Sequence, residues 1–378
     1  MAHVERRGQR WRARYRGPDG RERNRTFDRK IDGEKWLVTV EADKLRGLWT
    51  DPRLARTTVN AWSARWLASK VDLAPRTRAG YESLLRTLVL PTFGDRPVGA
   101  VGTVDVREWQ ADLSRRGLSA SRRRQALQVL SAAMKAAVEG GLVARSPVDP
   151  VRPPRVPRRE QRFLTAGQLE ALVDAADPRY ATLLYLLAYG GLRWGEAAAL
   201  RRKRVDVLRG RLDVAESLAE VGGRLVFGST KTHTARTVVL PGFLADRLAG
   251  MLHGGPDTLV FTAPAGGPLR HGNWRRRVWQ PALAAARLPG DLRIHDLRHT
   301  CAALLAQQGD HPKAVQRQLG HSSLQVTWDT YGHLYPDDLD ALGVALDEAH
   351  QHARAASVRP GTAGGVTALP TRGGEHAV

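Results

Sequence analysis

One cysteine in 378 residues excludes a disulfide within the chain and suits a reducing compartment. That cysteine, Cys301, is followed by Ala302, Ala303, Leu304 and Leu305, a setting for a small buried side chain rather than a nucleophile. No apolar run is long enough to span a bilayer, and the N-terminus has no apolar signal core. The expectation is a soluble, intracellular protein with no membrane partner. No carboxylate cluster suited to a metal nuclease is visible, and neither is an internal repeat. Acidic charge is scarce: 38 Asp and Glu stand against 59 Lys and Arg, for a formal net charge of +21 and a pI near 11.1. The excess recurs along the chain instead of sitting in one tail. Such a field favours a polyanion, because neutralised phosphates release condensed counterions. Nucleic acid is the partner this points to; charge serving solubility alone is the blander alternative.

The length exceeds a usual single core and suggests several domains. At residues 10–16, Arg10, Arg12, Arg14 and Arg16 alternate with Trp11, Ala13 and Tyr15, the period of a half-buried strand. Gly17-Pro18-Asp19-Gly20 is a turn. A second strand follows with Arg21, Arg23 and Arg25 in one parity, then a helix from near Asp32 with a Trp36, Leu37, Val40 and Leu45 stripe. Residues 1–55 thus read as a tiny sheet braced by one helix. Its arginine face is either a solvated edge or a basic ribbon laid in a DNA groove. Residues 56–150 change to helical period, with Val59, Trp62 and Trp66, then Tyr81, Leu84, Leu85 and Leu88, then Leu127, Leu130, Met134 and Val138. That block predicts a bundle of four or five helices. Arg122, Arg123 and Arg124, at the start of its last long helix, are candidate phosphate contacts, although helix surfaces are routinely charged.

Residues 151–162 form a stiff basic linker in which prolines interleave with arginines, Arg155 and Arg158 among them. Residues 163–352 open with a Thr165–Gln168 capping box between Leu164 and Leu169. A leucine-rich helix over 180–189 breaks at Gly190-Gly191 and delivers Leu192-Arg193-Trp194-Gly195-Glu196. Strands are predicted at 211–214, 224–227 and 237–240, with the polar tip Ser229-Thr230-Lys231-Thr232-His233 between the last two. Helices return after Phe261. The stretch His295-Asp296-Leu297-Arg298-His299 places His295 and Arg298 on one helix face. Leu319-Gly320-His321 and Thr330-Tyr331-Gly332-His333 follow. His295 and His299 at i, i+4 mimic a zinc-binding pair, but zincin chemistry wants Glu where Asp296 stands, and Arg298 would repel the ion. Residues 353–378 are rich in Gly and Ala and read as a disordered tail.

In these motifs the chain resembles the tyrosine recombinase family, the phage-integrase type of site-specific recombinase. The family's arginine in Gly-Leu-Arg-x-Gly-Glu, lysine at a β-hairpin tip, His-x-x-Arg, Leu-Gly-His and following tyrosine correspond to Arg193, Lys231, His295, Arg298, His321 and Tyr331. The resemblance implies a fold that is mainly α with small β-sheets: an arm-type DNA-binding module (1–55), a SAM-like helical core-binding bundle (56–150), the linker, and a mixed α/β catalytic domain (163–352). It implies that Tyr331 attacks a DNA phosphodiester, with Tyr335 four residues on as the other candidate. Arg193 and Arg298 would fork onto the nonbridging oxygens, where negative charge grows. His295 would take the phenol's proton, Lys231 would protonate the departing 5′ oxygen, and His321 would donate to the phosphate. No cofactor and no metal are expected. The implied partner is double-stranded DNA with core and arm attachment sequences, bound by a homotetramer, with a possible DNA-bending or directionality factor. A catalytically silent regulator on this scaffold and a type IB topoisomerase are the other functions this pattern leaves open.

Overall fold

The computed structural model describes residues 2–157, 161–229, 235–308, 311–332, 346–352 and 354. Lys231, Arg158, Tyr335 and all of the 353–378 tail but residue 354 lie outside them. So do Leu339 and Leu342, which with Leu346 form an apolar stripe in the sequence. Among the described residues the fold is mainly helical with three small sheets, as the sequence predicts.

The N-terminal sheet has strands β1 (His3–Arg7), β2 (Arg10–Arg16) and β3 (Glu22–Phe27), all antiparallel, with helix α1 (Lys30–Leu45) across one face. Alternation puts Ala13 and Tyr15 of β2 under Leu37 and Val40 of α1, and Tyr15 meets Trp36 edge-on at 5.4 Å. Strand β1 is an addition to the sequence reading. Two other details differ from expectation. Leu45 is 89% exposed, because the last turn of α1 overruns the small sheet. Arg23 and Arg25 pair across from Tyr15 and Ala13, so they share the helix side rather than the arginine face. Arg23 is held there by Asp19 and Asp51, under the Trp49 ring, and Arg25 lies over Phe27. Arg21 falls in the turn before β3.

The bundle comprises α2 (Val59–Ser69), α3 (Pro75–Leu84), α4 (Leu90–Phe93), α5 (Thr103–Arg115) and α6 (Ala120–Glu139). Thr58 and Ser119 cap α2 and α6 with their hydroxyls. A π turn at Leu85–Val89 joins α3 to α4. Pro91 has no N–H to continue the ordinary ladder, and a wide turn takes up the lost bond. Phe93, Trp109, Leu113, Leu130 and Met134 fill a separate core. The sequence boundary at residue 55 falls inside a short turn, Leu54–Arg56; a Cβ placed on Gly99 of the bundle would lie 2.9 Å from that of Ala55.

The remaining elements pack mainly in one large core around α8, with a smaller core where Cys301, Ala302, Val315, Leu319 and Tyr331 meet. The capping box forms as expected: Gln168 N donates to Thr165 Oγ1 and Thr165 N to Gln168 Oε1, at 3.2 and 3.0 Å, starting α7 (Ala166–Ala175). Helix α8 (Ala181–Tyr189) is buried from Thr182 to Ala188, and α9 (Trp194–Ala198) follows the Gly190-Gly191 break. Strands β4 (Val205–Asp206) and β5 (Arg211–Val214) precede a hairpin of β6 (Glu216–Val221) and β7 (Arg224–Ser229). Strand β8 (Arg236–Val239) then pairs with β5, not with β7. The strands flanking Lys231 therefore belong to different sheets, and the described residues do not form the hairpin expected around it. Helix α10 (Gly242–Ala249) leads to α11 (His271–Trp274), a second π turn at Arg275–Trp279 and α12 (Gln280–Ala285), again around a proline, Pro281. Helices α13 (Asp296–Gln307), α14 (Pro312–Leu319) and α15 (Leu324–Tyr331) follow. The linker's end is tied to it: Arg162 pairs with Asp291 at 2.5 Å, and Leu164 N donates to Thr300 Oγ1 of α13 at 2.9 Å.

Candidate active site

Three segment ends meet between α8, α13 and α14. Gly191 turns the chain out of α8 with φ at 66°, a left-handed conformation that suits glycine. A Cβ there would come within 2.6 Å of Leu319 and 3.0 Å of the Cys301 sulfur. The Gly191 carbonyl accepts from Arg298 Nη1 and the Leu319 carbonyl from Arg298 Nη2, both at 2.5 Å. Arg298 is thus stretched between two chain turns while only 2% exposed. Its burial, with the Arg193 charge nearby, brings its pKa down to about 10. Asp296, itself buried, takes Arg293 N and its guanidinium at 2.6–3.3 Å and secures the start of α13.

Arg193 stands at the first turn of α9. Its backbone N–H donates to Glu196 Oε2 at 2.9 Å and its Nη1 to Glu196 Oε1 at 2.7 Å. Its Nη2 reaches the Gly320 carbonyl at 3.5 Å. Arg193 and Arg298 therefore approach consecutive carbonyls at the end of α14. Glu196 is only 3% exposed and also receives both terminal nitrogens of Arg236, at 3.0 and 2.7 Å. Burial alone would raise its pKa. The Arg236 hydrogen bonds and charge, with those of Arg193, outweigh burial and hold it at about 2. Glu196 thereby braces Arg193 through both its backbone and its guanidinium. Arg236 is a participant that the sequence did not disclose: its partner lies 40 residues away, and nothing local marks it. It also donates through Nε to the Gln318 carbonyl at 3.3 Å. Gln318 in turn exchanges two side-chain hydrogen bonds with the Val239 backbone. Strand β8, which follows the Lys231 segment, is so fastened to the helix that presents His321.

Gly320 ends α14 in the left-handed region, φ 67° and ψ 50°. A Cβ on it would fall 2.5 Å from Arg236 Cδ, so Leu319-Gly320-His321 needs its glycine on two counts. His321 is half-buried, with Nδ1 2.8 Å from the fully buried Thr327 hydroxyl. Desolvation and the Arg298 and Arg193 charges lower its pKa to about 4. In the neutral tautomer whose Nδ1 accepts from Thr327, the ring carries its proton on Nε2 and can donate it.

Tyr331 closes α15, 3% exposed, against Cys301, Ala302, Val315 and Leu319. Its ring lies parallel to that of His321, 6.2 Å apart. Its hydroxyl is 2.6 Å from His299 Nδ1. Burial raises the phenol's pKa, with Arg298 opposing. His299 is 9% exposed, and burial, then the His295 charge, brings it down to about 4; in the tautomer protonated at Nε2, its Nδ1 accepts from the phenol. The histidine that meets the Tyr331 hydroxyl is thus His299. His295, at the N-terminal boundary of α13, is exposed and presents its ring edge-on to His299 at 5.0 Å. Among the described residues no group of three or more His, Cys, Asp or Glu could hold a metal ion. Cys301 is buried as expected; desolvation pushes its thiol up to about 12, and Sγ donates to the Tyr189 carbonyl.

The arginines singled out for phosphate contact lie apart from this cluster. Arg10 and Arg16 are exposed, Arg10 beside Asp28 at 3.1 Å. Arg14 is held by Glu5 and Glu22, at 2.8 and 3.2 Å, and Arg12 is half-buried near Glu5. The open face of the sheet is accordingly a mixed lattice rather than a bare guanidinium row. Arg122, Arg123 and Arg124 occupy the first turn of α6, where the helix dipole disfavours cations and favours an anion. Arg155 is exposed. No helix among the described residues is long and apolar enough to cross a membrane.

Comparison with known proteins bears on this geometry. Residues 162–337 match the Phage integrase family and residues 4–46 the Phage integrase, N-terminal domain. The integrase of Mycobacterium phage FRAT1 is 32% identical over 306 residues, covering 78% of this chain and 88% of that protein. Among solved structures, the Tn1549 transposon integrase in complex with a circular intermediate DNA superposes with a TM-score of 0.66 at 21% identity, covering 77% of this chain and 99% of the other. A lambda integrase tetramer bound to a Holliday junction gives 0.55 at 19% identity, covering 88% and 95%.

Proposed function

The chain belongs to the phage integrase family of tyrosine recombinases, and from that premise we propose how its residues divide the work. It is a site-specific DNA recombinase of the integrase type. We assign Tyr331 as the nucleophile that cleaves a strand and keeps it as a 3′-phosphotyrosyl bond. The observation that carries this is the approach of Arg193, Arg298, His321 and the Tyr331 ring to one another around the end of α14. Two guanidiniums and a neutral imidazole donor suit the nonbridging oxygens of a phosphate whose charge grows as the phenol attacks. Lys231 is assigned the protonation of the 5′ oxygen, and His295 the acid–base traffic at the site's exposed edge. The phosphotyrosyl bond conserves the phosphodiester's free energy, so rejoining to a new 5′ hydroxyl needs no ATP.

A catalytically silent regulator and a type IB topoisomerase are not favoured by the family match. Double-stranded attachment-site DNA is the substrate we assign. The lambda tetramer on a Holliday junction supports assembly of four copies on two duplexes, and accessory bending factors remain part of the proposal. The test is a duplex carrying the attachment-site core, nicked so that the released strand is lost. The adduct is expected to form in excess EDTA, since fixed cations take the place a metal would fill, and to map to the Tyr331 peptide. Linkage at Tyr335, or activity that disappears with chelator and returns with Mg²⁺, would overturn the assignment.

The N-terminal sheet is assigned to arm-type sites, supported by the match over residues 4–46. Removing residues 1–52 spares the Leu54–Arg56 turn that packs on the bundle. Cleavage of an isolated core site is expected to persist while integration on a full attachment site collapses. The log–log salt slope of full-site binding should also flatten by about 0.9 for every phosphate that the shortened chain no longer neutralises. Equal loss of affinity on core-only and full-site DNA would reduce the sheet to a general phosphate clamp.

A further inference from the structure

We infer that His299, not His295, is the immediate acceptor of the Tyr331 proton during strand cleavage, an inference that rests on Tyr331 being the nucleophile. A general base must lie within hydrogen-bond reach of the proton it removes. Among the described residues, His299 Nδ1 is the nitrogen that meets this condition, at 2.6 Å from the phenol oxygen. The contact is built rather than incidental. Both side chains are buried, His299 on α13, and Tyr331 on α15 against Cys301, Val315 and Leu319. The groups facing His299 are His295, Arg298, Asp296 and Arg293 from its own segment, with Tyr331 and His321 from the other side. Burial first, and then its cationic neighbours, keep the ring neutral at ordinary pH, and a neutral ring protonated at Nε2, with Nδ1 toward the phenol, is the form able to accept.

The step balances. A lone pair on the Tyr331 oxygen forms the bond to phosphorus while the bond from phosphorus to the 5′ oxygen breaks. The phenolic proton passes to His299 Nδ1, and the leaving oxygen takes a proton from the acid on its own side, assigned above to Lys231. On rejoining, the 5′ hydroxyl attacks phosphorus and gives its proton back to Lys231, the bond to the Tyr331 oxygen breaks, and His299 returns its proton to the departing phenolate. The exposed His295, edge-on at 5.0 Å, is then the route by which the imidazolium exchanges its other proton with solvent.

The experiment measures single-turnover cleavage of a nicked attachment-site core duplex by the full chain, its His299→Ala and His299→Asn variants, and each of these with 3-fluorotyrosine placed at 331. Asparagine sets an oxygen near the Nδ1 position, so it keeps an acceptor for the phenol but cannot take its proton. Wild-type adduct at Tyr331 must be seen first; its absence would sink the nucleophile assignment itself, before any variant is compared. Given the adduct, both variants should cleave about 100-fold more slowly with unchanged core-site affinity. The more acidic fluorophenol, which depends less on a base, should recover roughly tenfold of the His299→Asn deficit. If His299→Ala does not fold, His299→Asn decides alone. Cleavage by His299→Asn at the wild-type rate, or a deficit that fluorotyrosine leaves unchanged, would overturn the inference, the second by reducing His299 to a packing role.

Discussion

Replacing Tyr331 by phenylalanine should abolish covalent attachment to DNA while leaving affinity for a core site within about threefold of wild type. The ring supplies the contacts that hold α15 in place, against Cys301, Ala302, Val315 and Leu319, and its parallel placement beside His321 does not involve the hydroxyl. All of that survives in Tyr331→Phe. What goes is the attacking oxygen and its 2.6 Å hydrogen bond to His299. A buried acceptor left without its donor costs about 1–3 kcal/mol, partly offset because the hydroxyl itself no longer has to be desolvated. The melting temperature should therefore fall by only a few degrees, roughly 2–4 °C per kcal/mol for a domain of this size. Adduct is read on a denaturing gel from a nicked duplex, and affinity from a titration of the same DNA. An adduct that persists in Tyr331→Phe would place the nucleophile elsewhere in the chain. A collapse in affinity would mean that the phenol oxygen serves DNA binding rather than chemistry.

The parts of this site that could be read in advance are those whose meaning is local. Thr165 and Gln168 specify a helix start by themselves, because both partners lie within one turn. Gly191 and Gly320 sit in short motifs whose order along the chain is informative, and their backbone angles bear that out. Phase on a helix is also local, so His295 and Arg298 could be placed on one face. Which histidine meets Tyr331 could not, since that depends on how α15 docks against α13, a tertiary fact. Arg236 escaped for the same reason, its partner Glu196 lying in a different element. Strand β6, Glu216–Val221, begins with Glu-Ser-Leu-Ala-Glu, residue types at home in a helix, and becomes a strand by pairing with β7. Strand β1, His3–Arg7, offers Val4 as its one aliphatic side chain, too little for a period to show. The arginine alternation in β2 was correct as a period. Periodicity could not reveal Glu5 and Glu22 on the neighbouring strands, which neutralise part of that face.

The buried carboxylate of Glu196 should prove a second point of failure, in stability as well as rate. It receives four hydrogen bonds, one from the Arg193 backbone, one from the Arg193 guanidinium and two from Arg236. Glu196→Ala leaves the Arg236 guanidinium unpaired in a largely buried site, and breaking such a pair from one side costs about 3–5 kcal/mol. The same substitution frees Arg193 from its brace, and loss of orientation in a charge-stabilising group costs on the order of 100-fold in rate. The pH dependence has a definite sign. The folded pKa of about 2 lies below the ordinary value of 4.5, so the stabilisation is complete above the unfolded pKa and is lost as pH falls from about 4.5 towards 2. At about 1.4 kcal/mol per pKa unit this amounts to roughly 3 kcal/mol. Acid unfolding of Glu196→Gln should accordingly be flatter than wild type across that window. Replacing both Glu196 and Arg236 by methionine separates the two roles. Removing both ends of a buried pair can be nearly neutral, so most of the lost stability should return, while cleavage stays slow because Arg193 remains unbraced. If the double variant recovers cleavage together with stability, Glu196 serves the fold alone and Arg193 needs no brace to act.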